Sequence, residues 1–82
     1  MTSQAHRQIR TIIGANIRAA RLSKRMTQRE LAALVNGVDT LAVWRWEHGK
    51  AAPNPENLVA LAAALEREVG WFYLDEPEQK AA

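Results

Sequence analysis

The chain has 82 residues, with 11 Lys and Arg against 9 Asp and Glu, and it has no cysteine. This length supports one small domain, and the lack of cysteine excludes disulfides, thiolate metal sites and cysteine nucleophiles. No apolar run approaches the roughly 18 residues of a membrane-spanning helix, and no signal-peptide pattern is present, so we expect a cytoplasmic protein.

The charges are distributed unevenly along the chain. Residues 1–50 carry nine basic and three acidic side chains, a balance of +6, whereas residues 51–82 carry two basic and six acidic ones, a balance of −4. This asymmetry predicts one face for a polyanion and another turned away from it. On charge alone, an ordinary solvated surface with chance clustering is the alternative.

Two segments precede the middle of the chain. Residues 1–8 are polar and lack helical periodicity, which predicts a flexible N-terminal segment, with a frayed first turn that extends the next helix as the alternative. From Ile9 to Lys24 apolar residues recur at helical spacing, which predicts a helix with one buried face. Gly14 inside this helix costs roughly 1 kcal/mol relative to Ala, and it would permit the close approach of a neighbouring helix.

The stretch from Thr27 to Gly49 predicts a short helix, a tight turn and a second short helix. Thr27 and Glu30 have the spacing of a capping box, in which each side chain accepts a hydrogen bond from the other residue's backbone N–H. The Asn36-Gly37 pair ends the first helix, because both residues tolerate a left-handed backbone. Asp39 then caps the second helix.

The second of these short helices separates into two faces at 100° per residue. The inward face carries Ala42, Val43, Trp46 and Glu47. The outward face carries Thr40, Leu41, Trp44, Arg45 and His48. This outward set contains too many polar side chains for a core and too many apolar ones for a face that only contacts solvent. Such a combination suits the major groove of DNA.

The C-terminal third predicts two more helices and a tail. Pro55 to about Arg67 is expected to form a helix capped by Asn54, with Pro55 at its first position. The segment 69–74 is expected to form a short closing helix in which Val69 and Phe72 seal the core. An aromatic side chain left on this surface would mark a dimer interface or would cover a small core. Residues 76–82 are predicted to be a disordered tail.

Several positions together carry a resemblance to a known family: Thr27-Gln28-x-Glu30-Leu31-Ala32, Gly37-Val38, and Val43-x-Arg45-Trp46-Glu47-x-Gly49. This pattern resembles the helix-turn-helix of the Cro/C1-type (XRE) transcription regulators, the family of the lambdoid phage repressors. The resemblance implies an all-α fold, a compact bundle of about five short helices like the lambda repressor DNA-binding domain, over residues 9–75. Asn36 departs from the family pattern as an extra residue in the turn, which affects the angle between the two helices.

The resemblance implies a sequence-specific regulator of transcription, of repressor or Cro type, that binds a double-stranded DNA operator in a bacterial or phage-infected cell. Residues 39–48 would be the recognition helix in the major groove. Base reading is expected from Thr40, Leu41, Trp44 and Arg45, with Arg45 donating two hydrogen bonds to guanine. Trp44 either packs against a sugar or thymine methyl group, or folds back along the scaffold.

Other family positions imply backbone contacts and one ion pair. Phosphate contacts are expected from Gln28, Arg29, His48 and Lys50, and the family uses a glutamine at the position of Gln28 in this way. Family members also pair an arginine at the end of the first helix with the glutamate of the Trp-Glu-x-Gly segment. Arg21 and Glu47 match those positions, and two separate surface charges are the alternative.

Other function classes fit less well. The runner-up is a protein-interaction module with the same fold, such as an antitoxin that neutralises a partner. An enzyme is the weakest interpretation, because the sequence offers no paired acids, activated nucleophile or phosphate-binding glycine loop. No metal, cofactor or small-molecule ligand is expected. One recognition helix covers only a few base pairs, so a homodimer is expected, at least on DNA.

Overall fold

The computed structural model of the protein describes residues 2–75. Four α-helices are followed by a 3-10 helix: α1 Thr2–Ser23, α2 Gln28–Ala33, α3 Thr40–Glu47, α4 Pro55–Leu65, and the closing 3-10 helix Val69–Tyr73. The predicted all-α bundle of about five short helices is therefore confirmed. The predicted disordered tail, residues 76–82, lies outside the described residues.

Helix α1 begins earlier than the sequence pattern predicts. It starts at Thr2 rather than near Ile9, and it has 22 residues. Extending a helix that is already nucleated adds one backbone hydrogen bond per residue, and this needs no apolar face. The helix backbone therefore continues through residues 2–8, and the flexible segment at 1–8 stays a prediction.

One core joins all five elements. In α1, Ile13, Ile17 and Ala20 are buried at the spacing of one helical face, whereas Ile9 is 43% exposed and lies beyond the core edge. The other buried apolar residues are Leu31, Ala32, Val35, Val43, Trp46, Leu58, Leu61, Ala62, Leu65 and Phe72. Among the described residues, no helix is long and apolar enough to cross a membrane.

The predicted helix caps are confirmed. Thr27 Oγ1 accepts from the Glu30 N–H at 3.0 Å, and Glu30 Oε1 accepts from the Thr27 N–H at 2.8 Å, which completes the capping box. The Asp39 carboxylate caps α3 through a bond from the Ala42 N–H, 2.9 Å long. Asn54 caps α4 in the same way. These local bonds fix where each short helix starts.

The closing 3-10 helix is held by a buried amide that the sequence pattern does not reveal. Asn16 is fully buried, and its Nδ2 donates to the carbonyl oxygens of Phe72 and Leu74, each at 2.7 Å. Phe72 is buried as predicted. Val69 is 37% exposed, so its predicted place in the core is wrong: it opens the 3-10 helix at the core margin.

Candidate nucleic-acid interface

Helix α3 presents two different faces, and its burial follows the predicted division. Val43 is fully buried and Trp46 is 5% exposed, so this side of the helix is part of the core. The four side chains predicted to read bases, Thr40, Leu41, Trp44 and Arg45, are all exposed. Helix α3 therefore packs on the core through its apolar side, and its opposite side exposes both polar and apolar side chains to solvent.

Trp44 lies on this outward surface and does not fold back into the core. Its ring stacks on the His48 ring, with centroids 4.1 Å apart and planes 20° apart. The Nδ1–H of His48 donates to the Trp44 carbonyl oxygen at 2.9 Å, because a carbonyl can only accept. The stack and the hydrogen bond together fix the two rings as a flat surface over the last turn of α3.

Arg45 is the cation of the outward face. Its side chain is exposed, and it takes part in neither of the ion pairs found among the described side chains. Its carbonyl oxygen accepts the Lys50 N–H at 2.9 Å, which closes the loop after α3 at Gly49, where φ is +68°. Among the described residues the Arg45 guanidinium therefore has no acidic partner, and its five N–H donors suit a partner outside the chain.

The family-implied ion pair between Arg21 and Glu47 is present and is bidentate. Arg21 Nε donates to Glu47 Oε2 at 2.6 Å, and Nη2 donates to Oε1 at 3.0 Å. The third guanidinium nitrogen, Nη1, donates to the Met26 carbonyl at 2.8 Å. The Glu47 side chain is fully buried. Its hydrogen bonds raise the pKa of Arg21 above its ordinary value, and the pair ties α3 to the end of α1.

Gln28 joins the same network, a role that the sequence does not indicate. Its Nε2 donates to Glu47 Oε1 at 3.0 Å, which links the first residue of α2 to the last residue of α3. A glutamine amide has two N–H donors, so one N–H remains for a ligand such as a phosphate oxygen. Because Glu47 fixes one donor, the amide nitrogen and oxygen cannot exchange places without losing this bond.

The four predicted phosphate residues are not all in one place. Gln28 is held at the C-terminal end of α3 by Glu47, and His48 and Lys50 follow α3 directly in the chain. Arg29 is exposed on the next position of α2. Three of the four therefore surround the end of α3, and the predicted base-reading residues occupy its outward side.

Asn36, which the sequence comparison predicts to be an extra turn residue, connects the turn to α4. Asn36 and Gly37 both have a left-handed backbone, with φ of +46° and +72°. The Asn36 Nδ2 donates to Asn57 Oδ1 at 3.0 Å and to the Glu56 carbonyl at 3.4 Å. Asn36 therefore supplies a polar link from the helix-turn-helix to the first turn of α4. An asparagine in a left-handed turn is a weak signal for such a contact.

No group of three or more His, Cys, Asp or Glu side chains able to hold a metal ion occurs among the described residues.

Comparisons with known proteins agree with this geometry. A helix-turn-helix family model matches residues 17–72. Repressor protein C2 of Salmonella phage P22 is 40% identical over 55 residues, which are 67% of this chain and 25% of that protein. The chain thus spans about a quarter of the length of this curated relative.

A solved structure shares the fold. It is the crystal structure of the P22 c2 repressor protein in complex with synthetic operator 9T in the presence of Tl+, and its TM-score is 0.73 at 34% sequence identity. The match covers 78% of this chain and 96% of that chain.

Proposed function

Because the chain belongs to the Cro/C1-type helix-turn-helix family, we propose that it is a sequence-specific, double-stranded DNA-binding regulator of transcription. The observation that carries the proposal is the outward face of α3, where four exposed side chains stand on a helix whose opposite face is locked into the core. The operator complex of the related P22 c2 repressor supports it.

Base reading is assigned to the outward side chains of α3. Arg45 donates two hydrogen bonds to O6 and N7 of a guanine, the commonest specific contact in the major groove. Thr40, in the first turn, bonds a base edge or a phosphate. Leu41 and the Trp44 ring supply apolar surface, which favours the C5 methyl groups of thymines.

Backbone contacts position that face without reading sequence. The free N–H of the Gln28 amide donates to a phosphate oxygen, and Arg29 and Lys50 add positive charge. His48 has its Nδ1–H bonded to the Trp44 carbonyl, so a phosphate contact must use Nε2. Since a phosphate oxygen accepts hydrogen bonds, this contact requires the doubly protonated imidazolium form of His48.

The functional unit on DNA is a homodimer on a pseudo-palindromic site. One recognition helix covers only a few base pairs, and two half-sites about one DNA turn apart double the contacts. Sedimentation of the protein with a full-length operator tests this arrangement, and we expect two copies per operator. Saturation by a single copy would contradict it.

Selection of bound sequences from random duplex DNA tests the function itself. We expect enrichment of a pseudo-palindrome with conserved positions in each half-site. About four to eight phosphate contacts per dimer give a log–log salt slope of roughly −4 to −7. A pool without any enriched site would overturn sequence-specific binding and would favour a protein-interaction module, whereas affinity that is flat in salt would exclude the electrostatic contacts.

A further inference from the structure

The first part of α1 packs on the loop that follows α3. The segment matched by the family model starts at residue 17, whereas α1 starts at Thr2. Within this extra length, Arg10 Nε donates to the Gly49 carbonyl oxygen at 3.3 Å. A Cβ added at Gly49 would lie 3.2 Å from Thr11 Oγ1. The additional turns of α1 therefore touch the chain just after the recognition helix.

A surface cavity of about 390 Å³ lies at this contact, lined by Ile9, Arg10, Lys50, Ala51 and Ala52. Of these five described residues, two are cations and none is acidic. The ion pairs among the described side chains are Arg21–Glu47 and Lys24–Glu66, so neither lining cation is neutralised by a carboxylate there. The site therefore has the charge and the size for a small anionic group.

The Arg10 side chain is oriented for such a group. Its Nε–H is bonded to Gly49, which leaves the Nη1 and Nη2 N–H groups for a second partner. Arginine recognises phosphate through parallel N–H donors, and a lysine beside it adds a point charge. Arg10 is half-buried and Lys50 is exposed, so the guanidinium is partly held in place and the ammonium lies at the rim.

The position of this cavity identifies the anion as DNA backbone. An α-helix with its side chains is about 10–12 Å across, and the major groove is about 12 Å wide, so a helix in the groove has the sugar-phosphate backbone on both sides. Arg10 and Lys50 lie beside the end of α3, where one of those strands would pass. Resting on the proposed DNA-binding function, we propose that Arg10 and Lys50 form a phosphate-binding site, and that the α1 extension thereby adds a backbone contact to the family's helix-turn-helix.

The salt dependence of operator binding tests this site. Arg10→Gln is expected to reduce the steepness of the log–log slope by about 0.9 per protomer, or roughly 2 per dimer, which corresponds to one phosphate contact in each half-site. Arg10→Lys loses the Nε bond to Gly49 but keeps the charge, and we expect it to restore the wild-type slope. Arg67→Gln is the matched control: it removes the same charge from a side chain that packs over the Trp71 ring, and it should leave the slope unchanged.

Ethylation interference locates the contact. With wild-type protein, ethylation of each contacted phosphate should block binding, and Arg10→Gln should abolish the block at one phosphate in each half-site while keeping the others. A wild-type slope and ethylation pattern in Arg10→Gln would overturn the inference, and so would an Arg10→Lys variant that behaves like Arg10→Gln. These outcomes are distinct from failure of the proposed function, in which the wild-type protein itself selects no DNA site.

Discussion

Gly14 of α1 lies against the carbonyl oxygen of Trp46 in α3, and a Cβ built at position 14 would fall 2.1 Å from that oxygen. The two helices therefore meet backbone to backbone at this point. This contact sets the distance between α1 and α3, and thereby the position of the outward face of α3.

Gly14→Ala should destabilise the fold even though alanine favours a helix by about 1 kcal/mol over glycine. The atom in the way belongs to the backbone, so α1 and α3 must separate, and overpacking of this kind costs about 1–3 kcal/mol. Denaturant unfolding measures the difference. Gly70→Ala is the control, because no heavy atom lies within 4 Å of its added Cβ, and a melting curve for Gly14→Ala equal to that of Gly70→Ala would contradict the prediction.

Glu47→Ala should be among the most damaging single changes outside the apolar core. The buried carboxylate accepts from Arg21 and Gln28, and its removal leaves a partly buried guanidinium without its partner. Breaking a buried ion pair in this way costs about 3–5 kcal/mol. Lys24→Ala breaks the exposed pair with Glu66, and we expect little change in its melting temperature. Equal losses in the two variants would show that burial of the Arg21 pair has no energetic consequence.

The two tryptophans of α3 should separate stability from DNA binding. Trp46 is 5% exposed, and truncating such a side chain to Ala costs about 3–5 kcal/mol. Trp44 is 39% exposed and stacks on His48, so Trp44→Ala should fold almost as the wild type does and lose affinity for the operator. Thermal melting and operator titration of both variants provide the measurement. An unstable Trp44→Ala with full affinity would place this ring in the scaffold.

Arg45→Ala and Gln28→Ala should weaken binding in different ways. Loss of a bidentate contact to guanine removes about 1–3 kcal/mol of discrimination at one base pair in each half-site. Gln28→Ala removes a backbone contact, whereas the two bonds from Arg21 still hold Glu47 and α3, so it should weaken all sequences by a similar factor and leave the preference intact. Binding-site selection with each variant measures both effects. If Arg45→Ala keeps the wild-type sequence preference, the Arg45 guanidinium contacts a phosphate rather than a base.

The link between Asn36 and Asn57 should affect specificity more than stability. Asn57→Ala removes the acceptor that holds the turn against α4, whereas Asn57→Asp keeps an acceptor at the same place. We expect Asn57→Ala to lower the ratio of operator affinity to non-specific DNA affinity, because the turn leads directly into α3 and helps to set its position. Asn57→Asp should retain the wild-type ratio. If both variants keep that ratio, the extra turn residue does not help to position α3.

The start of each short helix and the two faces of α3 are determined locally, and the sequence is sufficient to predict them. The Thr27–Glu30 box and the Asp39 and Asn54 caps each join residues three positions apart, within reach before any tertiary contact forms. The 3.6-residue period likewise places Val43 and Trp46 on one side and Trp44 on the other. The Arg21–Glu47 ion pair was predicted from the family resemblance, because no local sequence pattern specifies it.

The tertiary structure alone decided the contacts that position α3. Gln28 with Glu47, Asn36 with Asn57, Arg10 with Gly49, and Asn16 with Phe72 of the closing helix join residues 19 to 56 positions apart. Each of these contacts depends on how two segments pack together and on a side-chain rotamer. Residue spacing along the chain specifies neither the packing nor the rotamer. The early start of α1 has a different origin, because its first turns are polar and have no apolar face for a periodicity to reveal.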